Sequence, residues 1–124
     1  MQVNCERLKA NLIELSKIGY NEDDRGIYRP GYSDADMESR RWLQEKAKAA
    51  GYDTYMDGAG NVFFGRGELD KPAVLMGSHI DSVPAGGIFD GSLGVLAALE
   101  VMQTLDENQV VTETPIWGVA TAEE

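Results

Sequence analysis

Apolar residues recur along this chain at two different periods. Between residues 3 and 18, Leu8, Leu12, Leu15 and Ile18 fall three or four apart, the spacing of one helical face, and Gly19 supplies a stop. Cys5 extends the stripe at its start and is expected to be a small buried side chain. Residues 20–32 are polar, carry the turn signal Pro30-Gly31, and read as a loop. A second amphipathic helix opens at Ser33, which with Asp36 three residues later makes a variant of the capping box. Met37, Leu43, Ala47 and Ala50 form its buried side, and Gly51 ends it.

The period then shortens. Residues 52–56 and 62–64 read as strands joined by Asp57-Gly58-Ala59-Gly60-Asn61, a connection whose composition predicts an antiparallel hairpin. After the turn segment Glu68-Leu69-Asp70-Lys71-Pro72, the unbroken run Ala73-Val74-Leu75-Met76 suits a strand covered on both faces. Residues 77–90 are a glycine-rich loop. Ser92 to Leu105 is a strongly apolar helix, and residues 116–122 form a last strand. Strand, helix and strand in succession make a βαβ crossover, so strands 73–76 and 116–122 should be parallel. The expected fold class is α/β: a mixed sheet with a βαβ crossover and flanking helices. Residues 1–124 form one domain, with Val74, Leu75, Leu96, Leu99 and Ile116 in the core.

Charge narrows the functions. Eleven basic against 21 acidic residues give a net charge of −10, a field that repels nucleic acid and anionic lipid. No apolar run approaches the roughly 20 residues that span a bilayer. The N-terminus lacks the basic-then-apolar pattern of a signal peptide. One cysteine cannot form an internal disulfide, so a cytoplasmic setting is the default. The expected partner is a small molecule, neither nucleic acid nor membrane.

In open α/β sheets, ligand sites gather beyond the carboxyl ends of the strands. His79 and Asp81 follow one of the parallel strands, and Glu123 and Glu124 follow the other. His79, the only histidine, is a candidate metal ligand. Asp81 can accept a hydrogen bond from the ring nitrogen that faces away from a metal, fixing the tautomer; its alternative is an ordinary turn aspartate. Asp90, at the start of the third helix, is either an N-cap or a carboxylate that bridges two cations. Glu123-Glu124 after an apolar strand is either a solvated chain end or a ligand and general base. Nitrogen and carboxylate ligands suit zinc or manganese.

The run Gly77-Ser78-His79-Ile80-Asp81-Ser82-Val83-Pro84-Ala85-Gly86-Gly87-Ile88-Phe89-Asp90-Gly91-Ser92-Leu93-Gly94-Val95 closely resembles the metal-site segment of the hydantoinase/carbamoylase amidases. These belong to the superfamily of cocatalytic zinc aminoacylases and carboxypeptidases. Gly86-Gly87 before Phe89-Asp90-Gly91 points to the carbamoylase branch. Residues 26–33 and 57–62 are also similar to that family, so the likeness covers nearly the whole chain. The resemblance implies the N-terminal part of a zinc-peptidase-like catalytic domain holding two divalent ions, zinc or manganese. It implies that His79 ligates one metal, Asp81 orients that ligand, and Asp90 bridges. Of the Glu123-Glu124 pair, the first is the general base and the second a metal ligand. A register one residue later would make Glu124 the base, and both alignments stay open.

The same likeness implies hydrolysis of a linear amide or ureido carbon–nitrogen bond, with N-carbamoyl amino acids or allantoate as the substrate class. It also implies a homodimer formed through a lid domain, and two further histidine ligands, neither of which these residues contain. The chain therefore reads as an N-terminal fragment, inactive alone, with at most weak partial metal binding and a tendency to self-associate. The competing reading is a non-catalytic truncated module that only folds or self-associates.

Overall fold

Asn4 caps the first helix, α1 (Cys5–Ser16), by accepting a hydrogen bond from the Arg7 backbone at 3.0 Å. Ser33 does the same for α2 (Asp34–Ala49), accepting from the Asp36 backbone at 3.2 Å. Only half of the capping box forms. The Asp36 carboxylate turns instead to the Tyr32 backbone N–H and to the Arg40 guanidinium, and the Asp36–Arg40 ion pair is fully buried. The computed structural model describes residues 1–68 and 70–124, so Leu69 of the expected 68–72 turn lies outside the described residues.

The expected hairpin pairs β1 (Asp53–Met56) with β2 (Val62–Gly65), antiparallel. Its turn is closed by the Asp57 carboxylate, which accepts from the backbones of Ala59 and Asn61 at 3.0 and 2.9 Å. The strands β3 (Val74–His79) and β4 (Ile116–Thr121) are parallel and joined by α3 (Ser92–Glu107), as the crossover rule requires. The four-stranded sheet has the order β1-β2-β4-β3. One apolar cluster joins Leu12 and Leu15 of α1, Leu43 and Ala47 of α2, and Val95, Leu96 and Leu99 of α3 to Val62, Phe64 and Ala120 of the sheet. Val62 and Ala120 are register partners, so the helices gather on the face those residues share.

Two expectations about burial fail. The run 73–76 is not covered on both faces: β3 lies at the sheet edge, and Val74 and Leu75 are 49% and 54% exposed. Leu75 is the register partner of Trp117, on the face away from the helices, where Tyr55 is also exposed. Ile116 is only partly buried, whereas Leu96 and Leu99 are core. Cys5 is exposed rather than buried. It is the first residue of α1, so the stripe it begins has not yet reached the packed face.

Candidate active site

The parallel register sets His79 opposite Thr121, so the segments leaving β3 and β4 emerge side by side at one edge. His79 is largely buried there. Its Nδ1 lies 3.0 Å from the Asp81 backbone carbonyl and 3.5 Å from the Asp81 carboxylate. A carbonyl can only accept, so Nδ1 carries a hydrogen and donates it. Nε2 faces Asp90 Oδ1 at 3.6 Å and Glu124 Oε2 at 3.9 Å. Carboxylates gathered around Nε2 favour a cation there, either a proton on the ring or a metal ion.

Each group is held by a different local device. Asp90 is not the N-cap of α3: that position is Gly91, with φ 68° and no side-chain cap, so the Asp90 carboxylate is left to the site. A Cβ at Gly91 would fall 2.5 Å from both the His79 ring and the His79 carbonyl oxygen, so glycine is required by close approach as well as by φ. Asp81 is buried, and its carboxylate accepts from the Glu124 backbone N–H at 3.1 and 3.3 Å. Glu123 is left-handed, with φ 47°. That turn separates the pair. The Glu124 carboxylate faces His79, while the Glu123 side chain lies against Gly31, where an added Cβ would fall 2.8 Å from Glu123 Cγ.

Behind the edge is a buried cation for which no role was expected. Arg29, 1% exposed, donates to the carbonyls of Leu15, Ile18 and Ile80 at 3.2, 2.9 and 2.9 Å and to Ser92 Oγ at 3.0 Å. Desolvation brings its pKa down to about 10, against the opposing fields of Asp36 and Asp81. Ser82 Oγ accepts from the Arg29 backbone and donates to the Ile27 carbonyl, and Ile27 bridges to Gly86. The loop 20–32 is thus laced to the segment that carries Asp81 and Asp90. Asn61 was likewise passed over, although its side chain holds the end of β4, accepting from the Ala122 backbone at 2.7 Å. One of two arginines in a polar loop and a single Asn after a glycine turn are ordinary in composition, and neither spacing marks them. Only their membership in the similar segments 26–33 and 57–62 sets them apart.

Imidazole nitrogen and two carboxylate oxygens are a donor set suited to a divalent cation such as zinc or manganese. Among the described residues no group of three His, Cys, Asp or Glu side chains is drawn together as a ready-made metal site. The convergence is on the imidazole, at separations longer than hydrogen bonds. A cavity of about 350 Å³ lies elsewhere, lined by Tyr52, Arg66, Met102 and Pro115 among others near the start of β4. It is remote from this chemistry.

The profile of Peptidase family M28 matches residues 61–124. Over 125 aligned residues the chain is 42% identical to an N-carbamoyl-L-amino acid amidohydrolase of Geobacillus stearothermophilus, covering 98% of this chain and 30% of that protein. It is 34% identical to an allantoate deiminase 2 of Glycine max, over 86% of this chain and 22% of the relative. Among solved structures it is similar to an amidase of the hydantoinase/carbamoylase family from Burkholderia vietnamiensis. The TM-score is 0.92 and the identity 39%, over 99% of this chain and 30% of the other. The chain thus spans about 30% of the length of the N-carbamoyl amino acid hydrolase it matches. Among the described residues no helix is long and apolar enough to cross a membrane.

Proposed function

We propose, from the premise that the chain belongs to Peptidase family M28, that it supplies one half of the two-ion site of a hydrolase acting on a linear amide or ureido carbon–nitrogen bond. N-carbamoyl amino acids and allantoate are the substrate class, as the names of similar proteins suggest. Residues 1–124 are then the N-terminal portion of one catalytic domain. The observation that carries the reading is the His79 ring, whose Nε2 faces Asp90 and Glu124 while Nδ1 is tied to Asp81.

In this reading His79, Asp90 and Glu124 would hold the divalent ions, with Asp90 as the carboxylate the two would share. Zinc or manganese, when bound, supplies Lewis acidity toward the scissile carbonyl and lowers the pKa of water. Asp81 holds the imidazole in the tautomer that presents Nε2, and it also fixes the backbone of Glu124. Glu123, turned away from His79 by its left-handed backbone, is the general base: it takes the proton of the attacking water and returns it to the leaving nitrogen. The left-handed backbone of Glu123 and the approach of Glu124 to His79 support Glu123 as base and Glu124 as ligand.

One histidine and two carboxylates do not complete two coordination spheres. The 124-residue chain by itself should therefore bind divalent ions weakly and should not turn over substrate. The test is calorimetric titration with Mn²⁺ and with Zn²⁺, beside an assay on N-carbamoyl amino acids and allantoate. Weak binding that is lost in both His79→Ala and Asp90→Asn is expected. Binding unchanged in both variants would overturn the ligand assignment. Turnover at the rate of a full-length relative, abolished by His79→Ala, would overturn the half-site reading.

A further inference from the structure

The ladder between β2 and β4 ends at the pair Val62↔Ala120, yet the chain runs on to Glu124 in a defined path. Beyond the ladder the backbone is held by two side chains. Asn61 Oδ1 takes the Ala122 N–H at 2.7 Å, and the Asp81 carboxylate takes the Glu124 N–H at 3.1 Å. Between these two points lies Glu123, with its φ of 47°. A left-handed glutamate is strained and persists only where its surroundings impose it.

Asn61 is itself held. Its Nδ2 donates to Asp57 Oδ2 at 2.8 Å, and its backbone N–H donates to Asp57 Oδ1 at 2.9 Å. The amide is thereby oriented with its oxygen toward Ala122. Hydrogen bonding, first from Asn61, holds the Asp57 carboxyl below the ordinary carboxylate range, so it stays an acceptor at neutral pH. The far side of the turn is braced as well: Tyr32 Oη donates to the Ala59 carbonyl and Arg40 Nη1 to the Gly60 carbonyl, at 2.9 and 2.8 Å.

We infer that Asn61, oriented by Asp57, is a positioning residue: with Asp81 it clamps the backbone on both sides of Glu123 and so sends the Glu123 and Glu124 carboxylates in different directions. The clamp is a property of the fold. Its consequence for ion binding rests on the proposed function above. Without the Asn61 contact, the hydrogen bond to Asp81 is what remains, among the described residues, to hold the backbone of residues 122–124, and Glu124 is less firmly held toward His79 Nε2.

Amide exchange and Mn²⁺ titration on the 124-residue chain test both halves. In Asn61→Ala the Ala122 amide should exchange roughly fivefold to tenfold faster, the fold-change of one net hydrogen bond, while the amides within the β2–β4 ladder stay as they were. Mn²⁺ affinity should fall roughly 10–100-fold, as when a residue that orients a ligand is removed. The double variant Asn61→Asp with Asp57→Asn keeps an oxygen acceptor toward Ala122 and a donor–acceptor pair between positions 57 and 61, and should restore most of the Ala122 protection, which a general loss of packing would not do. An unchanged Ala122 amide in Asn61→Ala overturns the clamp. So does wild-type Mn²⁺ affinity in a variant whose Ala122 amide has opened. If Asn61→Ala loses the ladder amides as a whole, Asp57→Ala is read instead. It frees the Asn61 side chain without removing it, and faster exchange confined to residues 121–124 is expected; no change there overturns the clamp. Absence of Mn²⁺ binding by the wild-type chain would sink the ligand assignment alone, with the exchange data still deciding the clamp.

Discussion

Two groups of carboxylates in this molecule are treated in opposite ways. Where α1 meets α3, Glu100 is 2% exposed and fully answered. Arg7 reaches its two oxygens at 2.7 and 2.8 Å, the Asn4 backbone N–H lies at 2.7 Å and Thr104 Oγ1 at 3.1 Å. Arg7 also pairs with Glu107. At the carboxyl edge of β3 and β4, Asp81, Asp90 and Glu124 converge on one imidazole, and among the described residues no lysine or arginine forms an ion pair with any of them. The first arrangement repays the desolvation of a buried charge with donors from its own chain and so contributes to the fold. The second gathers carboxylates around one imidazole with no lysine or arginine to answer them, a local conflict of the kind found at functional sites, and it supports the proposed ion site.

Removing a partner from the satisfied group should therefore have the larger effect on stability. Arg7→Ala strands Glu100 as a buried, uncompensated anion, and a loss of roughly 3–5 kcal/mol is expected in a denaturant melt. A loss under about 1 kcal/mol would mean that water reaches Glu100, and the contrast with the sheet edge would collapse. Leu96 sharpens the comparison, because it lies one helical turn before Glu100 on α3 and is 1% exposed. Leu96→Ala should cost about 3 kcal/mol through the cavity it leaves, so apolar and ionic contacts hold α3 to comparable degrees. Leu75→Ala, on the exposed edge strand, should cost less than about 1 kcal/mol.

The pH dependence of the same ion pair has a definite sign. Burial would push the Glu100 carboxyl up, but the hydrogen bonds from Arg7, Asn4 and Thr104 together outweigh it and hold the pKa below the ordinary carboxylate range. Between the folded and unfolded values the unfolded chain binds more protons, so the contribution is complete above the unfolded pKa of about 4.3 and is lost as pH falls through the lower folded value. Glu100→Gln should flatten the acid side of the stability profile below about pH 4.5, by at most about 1.4 kcal/mol per pH unit. Wild-type and variant profiles of equal slope would show that the carboxylate is not preferentially charged in the fold.

Much of this was legible beforehand, for physical reasons that differ by element. The helices declared themselves through the spacing of Leu8, Leu12 and Leu15 and of Leu96 and Leu99, because one face of each is buried. The turn Asp57–Asn61 followed from its glycines and Asp57, and the parallel pairing of β3 with β4 from the handedness of crossovers. What failed was the inference from apolarity to burial. Val74 and Leu75 have the composition of a central strand, but the order of strands puts them at an edge, and order is set by long-range pairing that no local window contains. At the site, the positions of His79, Asp81, Asp90 and Glu124 could be anticipated from strand ends. The left-handed backbone of Glu123 and the contacts of Arg29 and Asn61 could not, since each depends on residues more than 40 positions apart in the chain meeting in space.

The smallest expected effect is the most diagnostic of the contrast. Asp90 is 53% exposed at its side chain, caps no helix, and faces Nε2 of His79 at 3.6 Å with Glu124 on the same side. In the presence of EDTA, Asp90→Asn should leave stability unchanged or raise it by about 0.5 kcal/mol, because it removes one of several like charges in a solvent-screened place. Saturating Mn²⁺ reverses the ranking. An ion that binds only the folded chain stabilises it by mass action, and the wild type should gain in proportion to its affinity while Asp90→Asn gains little. Thermal melts of both proteins with EDTA and with excess Mn²⁺ give the four values needed. A variant that is less stable than wild type by more than about 1 kcal/mol in EDTA would identify Asp90 as a structural carboxylate of the Glu100 kind. Equal gains from Mn²⁺ in the two proteins would show that the ion sits elsewhere.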